Sequence, residues 1–135
     1  MGDRANVCVK GEDGAVFFYT HWRGSELDAL VHAGLQKELL WGDTAYLRRI
    51  LFCEIIKGAH SEETGFGISS GICDNAHPII LVNDVDSTVS LATEEEPLKP
   101  FHTVTYAQFI EDPATLRYRN FDSDGKEEPE EEEED

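Results

Sequence analysis

An α+β fold is the class this sequence predicts, and three observations predict it. Its β-rich runs come in groups, its two long helical stretches follow one another, and no strand–helix–strand alternation marks parallel crossovers. The expected order is ββααβββ: an antiparallel sheet of about five strands, two helices packed on one face, and a short C-terminal helical turn. Residues 1–121 read as a single α+β domain and residues 122–135 as a disordered acidic tail.

The first two strands are "ANVCVK" and "AVFFYT", joined by the Gly-flanked acidic turn "GEDG" as a β-hairpin. Val7 and Val9 fall on one face and Cys8 on the other. "AVFFY" is apolar throughout, so the second strand reads as covered on both faces. Ser25 with Asp28 three positions on resembles a capping box. Leu27, Leu30, Val31, Leu35 and Leu39 then step by three and four, which predicts an amphipathic helix to about Leu40.

Asp43 is expected to cap a second helix over Thr44 to Lys57, stopped by Gly58. On a wheel with Arg48 at 0°, Arg49 falls at about 100° and Glu54 at about 240°. Apolar residues fill the positions between them. Three charges without a common side cannot share one solvated face, so at least one lies against protein and needs a partner. A sharper reading makes one arginine line a pocket beside the hairpin.

Downstream, "FGISS", "IILVNDV" and "STVSLA" read as strands, the last two as a hairpin. "FHTVTYAQFIED" gives a short edge strand followed by helical turns from Tyr106 to Ile110 that end at Pro113.

The net charge is −17. The last ten residues, "KEEPEEEEED", hold eight acids and one lysine, so the rest of the chain still carries twenty acids against ten bases. Such a body is a poor partner for duplex nucleic acid, whose phosphates call for clustered Lys and Arg. No apolar run reaches the ~20 residues of a membrane span, and no basic-then-apolar leader opens the chain. Cys8, Cys53 and Cys73 are widely spaced and odd in number, which reads as reduced thiols in a cytoplasm. Cys8 and Cys53 are expected to be small buried hydrophobes.

Chemistry is expected in three loops, "THWRGSE", "HSEETGFG" and "CDNAHP", which a meander could bring to one rim. Tyr19, His21, Trp22 and Arg23 crowd a strand-to-helix junction. A helix N-terminus with free amides, a fixed guanidinium and flat rings suits an anion with a flat body. Arg48, Arg49, Thr64 and Asn75 complete the ligand-binding candidates. A weaker set for hydrolysis is His21 or His77 as base with Glu63 or Asp74 as the orienting carboxylate. Cys73 and His77 could hold zinc only with two further ligands such as His60 or His21, so no metal and no cofactor is implied. The expected partner is a small anionic ligand of nucleotide type or, alternatively, a basic protein met by the acidic surface or tail. The sequence also leaves a symmetric homodimer open.

Taken in order, "YTHWRGSEL", "WGDTAYLRRILFCEII", "ETGFGIS" and "DNAHPIILV" resemble a group of small proteins of actinobacteria and their phages, over about residues 4 to 111. No activity is established for that group. The resemblance implies a bacterial or phage cytoplasmic protein and assigns no residue a role.

Overall fold

The computed structural model describes residues 3–38, 42–59, 64–72 and 75–127. Leu39, Leu40, His60, Glu63, Cys73, Asp74 and the tail from residue 128 lie outside the described residues.

Six strands form one mixed sheet in the order β3-β2-β1-β4-β5-β6. They are β1 (Ala5–Gly11), β2 (Gly14–Thr20), β3 (Phe66–Ser69), β4 (Ile79–Asn83), β5 (Thr88–Ala92) and β6 (His102–Thr105). The expected antiparallel sheet of about five strands is therefore corrected in two respects. There are six strands, and β1 pairs with β4 in parallel, Val7 opposite Ile80 and Val9 opposite Val82. The cause is the position of β3. It takes the free side of β2 while β4 takes the outer side of β1, so the chain crosses two strands between them and β4 arrives parallel to β1. That crossing carries Ile72 onto the far face, against Cys8, Phe17, Ile79, Leu81 and Ala92. A face that hairpins alone would leave wet is thus closed. Burial pushes the Cys8 thiol up to about 12, which makes it inert.

Helices α1 (Leu27–Leu35), α2 (Thr44–Ile55) and α3 (Tyr106–Glu111) bury their apolar residues in one cluster with Val7, Val9, Phe18, Ile80, Val82, Val89 and Leu91 of the sheet. Of the stripe predicted for α1, Leu27, Val31 and Leu35 are fully covered, Leu30 is half-buried and Leu39 lies outside the described residues; the helix ends at Leu35, short of the Leu40 expected. Its start differs from expectation. Ser25 lies in a 3-10 turn, Gly24–Glu26, and no side chain caps α1 at Glu26. Asp28 instead accepts from its neighbour's amide, Ala29 N, at 2.8 Å and from Arg119 at 3.2 Å. By contrast α3 opens on a complete capping box between Thr105 and Gln108.

Of the three charges on α2, Glu54 is buried and Lys37 of the α1 end reaches it at 2.7 Å. Arg48 is mostly covered, its side chain 14% exposed, while Arg49 is exposed. Cys53, expected inside, is exposed, because it stands on the same outer side of α2 as Arg49, one turn earlier.

The C-terminal segment straps this layer down. Tyr118 is buried and its hydroxyl donates to Gly24 O at 2.7 Å. Beyond the domain limit expected at residue 121, Phe121 and Glu127 form an isolated bridge. Among the described residues no helix is long and apolar enough to cross a membrane.

Candidate functional site

β1 begins, β2 ends, and β3 and β4 begin at one end of the sheet, so the described parts of the three expected loops meet there. His21 N donates to Gly65 O at 2.8 Å, and Asp3 N to His21 O at 2.6 Å. Asp3, which sequence reasoning passed over, organises this rim. Its backbone O accepts from Gly24 N at 2.7 Å, its Oδ2 from Ser25 N at 2.8 Å, and its Oδ1 lies 2.6 Å from His77 Nε2. The N-terminal amides that suit an anion are met by the chain's own carboxylate. Burial raises the Asp3 pKa, but the hydrogen bonds from Ser25 and His77 outweigh it and hold the group at about 2.

Arg23 also turns inward. Nη1 donates to Ile55 O at 3.0 Å and Nη2 to Lys57 O at 2.8 Å, so its fork closes the C-terminus of α2. Its guanidinium lies 6.0 Å from the Phe66 ring. Trp22 is 53% exposed and sits edge-on to His21, centroids 4.3 Å apart. His21 Nδ1 is 2.9 Å from the Tyr19 hydroxyl. Asn75 accepts from Asn6 at 3.3 Å and donates to His77 O. The His77 ring stacks on Tyr118 with centroids 5.5 Å apart. Thr64 is exposed. The rim is therefore a closed set of internal contacts around Asp3 with one protruding indole. Of the hydrolysis candidates, His77 has a carboxylate partner in Asp3, while Glu63 and Asp74 lie outside the described residues. Among the described residues no group of three or more His, Cys, Asp or Glu is placed to hold a metal ion.

Arg48 and Arg49 occupy a different place. They line a cavity of about 290 Å³ with Val16, Phe18, Phe52 and Ile68, between α2 and the β2–β3 surface. Phe18 and Phe52 form its floor, ring centroids 5.1 Å apart. Arg48 grips both carboxylate oxygens of Asp13 at 3.1 Å and reaches Gly14 O at 3.0 Å. That grip holds the Asp13 carboxyl below its usual range. Arg48 Nε is buried without a hydrogen-bond partner, a costly state for a donor. Arg49 contacts Cys53 Sγ at 3.7 Å. The sequence placed Arg48, Phe52 and Arg49 side by side on the helix wheel, which was the available signal. Ile68 and Phe18 join them only through the sheet.

A second, open concavity of about 580 Å³ lies at the other end of the sheet, lined by Glu12, Asp13, Gly42, Asp43, Thr44, Ala45, Asp84 and Val85. Asp84 is buried and accepts from Thr44 Oγ1 and the Tyr106 hydroxyl, each at 2.9 Å, and from Gly42 N. Burial and the Asp84 charge both push the Tyr106 hydroxyl well up.

No family model, no curated protein and no solved structure matches the chain. The class of protein therefore rests on the fold and the site alone.

Proposed function

We propose that this chain is a non-enzymatic binding protein for a small anionic ligand with a flat or apolar body, nucleotide-type ligands included. One observation carries the reading: in a chain of net charge −17, two adjacent arginines border an apolar cavity floored by Phe18 and Phe52. An apolar pocket with a few oriented polar groups is the usual form of a small-molecule site. Arg49, exposed at the edge of the pocket, supplies the charge, and Arg48, held by Asp13 and Gly14 O, lends its aliphatic stem to the wall. The site therefore moves from the rim at Arg23 to the α2–β3 pocket. In the bacterial or phage cytoplasm that the sequence resemblance implies, such a protein would act by sequestering or sensing a signal.

Calorimetry against a panel of nucleotides and aromatic carboxylates tests the reading. A binding member is expected, with affinity falling about tenfold or more in Arg49→Ala and in Phe52→Ala. A panel without heat, or binding that survives both changes, overturns it.

The acidic concavity favours a second reading, docking of a basic protein partner against Glu12 and Asp43. Capture of a basic partner by the chain, lost in the Glu12→Gln, Asp43→Asn double variant, separates this from the first.

A further inference from the structure

We infer that β3 is a dimer edge, and that a second copy of this chain pairs with it to close the α2–β3 pocket; this deepens the binding reading by giving its site a fourth wall. β3 is the terminal strand of the sheet, and among the described residues no strand pairs with its outer side. The bond from His21 N to Gly65 O sets the alternation of the antiparallel β2–β3 ladder. Gly67 and Ser69 then pair inward with Tyr19 and Phe17, and Phe66 and Ile68 turn their N–H and C=O groups outward. An unpaired edge is a template for another strand, and proteins guard such edges with charges, proline or a covering segment. Here the stretch from Thr64 to Ile72 contains no charged residue and no proline, although 29% of the chain is charged. The opposite edge, β6, is guarded: His102 Nε2 lies 2.9 Å from Thr115 O, and Phe121 packs on Phe101 with centroids 5.0 Å apart.

The occupant is a second copy for two reasons. Two chains of charge −17 repel wherever their surfaces carry carboxylates, and the neutral β3 stretch lets them approach without opposing acids. An antiparallel edge is also its own complement under a two-fold axis, which makes a closed dimer rather than a chain of copies. The axis stands perpendicular to the sheet, so the two helix faces lie on the same side. Ile68, 62% exposed and forming the outer wall of the pocket, then meets its counterpart. Two pockets that are open toward β3 become one apolar trough between two α2 helices, bordered by both copies of Arg49. Four-residue strands bury little area, so the association is weak and concentration-dependent.

Sedimentation velocity on the full chain tests this from about 10 µM to about 1 mM, at low salt and at roughly 0.5 M salt, where repulsion between acidic bodies is screened. A monomer–dimer equilibrium that tightens with salt is expected. Ile68→Lys should weaken it tenfold or more, and Leu98→Lys, at another exposed apolar position, between β5 and β6, should leave it unchanged. A monomer under every condition overturns the inference, as does equal weakening by both variants. A dimer that binds no member of the ligand panel removes the binding function and leaves the dimer edge standing. Ligand binding by a chain that stays monomeric does the reverse.

Discussion

Asp3 and His77 stand 74 residues apart in the chain, yet Oδ1 of one lies 2.6 Å from Nε2 of the other. That pair ties the segment entering β1 to the segment entering β4 at the point where those strands run parallel. The same carboxylate also holds Ser25 N, so three loops depend on one charge.

Acid sensitivity follows from it. The Asp3 carboxyl is held at about 2 in the fold against an ordinary value of 3.8, so the folded state keeps the carboxylate ionised more strongly than the unfolded chain does. This stabilisation is complete above about pH 4 and is lost as pH falls from there toward 2. With the side chain 34% exposed, solvent screening reduces the contribution to about 1 kcal/mol. Thermal unfolding of Asp3→Asn should show a lower Tm at neutral pH and a smaller fall between pH 4 and 2 than the parent chain. Parallel curves for the two proteins would remove the role given to Asp3.

Arg23 is predicted to matter for stability and not for ligand binding. Arg23→Ala leaves the carbonyls of Ile55 and Lys57 without their donors and should destabilise by about 1–2 kcal/mol in denaturant unfolding. Arg23→Lys should recover only part of this, because one ammonium cannot reproduce a planar fork spanning two carbonyls. Ligand affinity in the calorimetric panel should stay within about twofold of the parent for Arg23→Lys.

Gly34→Ala should be destabilising although alanine favours helix. A Cβ there would stand 2.6 Å from Leu51 Cδ2, and Leu51 is fully buried where α1 packs on α2. Overpacking of this kind costs about 1–3 kcal/mol, against a gain of roughly 1 kcal/mol from propensity. A Tm equal to or above the parent's would show that Leu51 has room to turn aside.

Local order was legible in the residues wherever a period or a cap signal acted within a few positions. The apolar stripe of α1, the start of α2 at Thr44, the hairpins β1–β2 and β4–β5, and the Tyr106 helix end at Pro113 were all visible that way, whereas α2 stops at Ile55, short of the expected Lys57, and the Asp43 side chain makes no capping bond. So was the need for at least one of Arg48, Arg49 and Glu54 to lie against protein and find a partner, because three charges on separate sides of one helix cannot all be solvated; the structure gives that place to Glu54, paired with Lys37. The parallel pairing of β1 with β4 was not legible, since it depends on which edge of the hairpin β3 occupies.

The candidate site divides along the same line. "YTHWRGSEL" announced a place where unusual side chains converge, and they do converge, but their partners come from Asp3, Ile55 and Lys57. The chain alone determined the class of fold, the acidic character, and the adjacency of Arg48, Phe52 and Arg49 on one helix. Tertiary structure decided which guanidinium is committed and which borders a cavity. A charge is bound by whatever lies within a few ångströms of it in space, and spacing along the sequence does not set that distance.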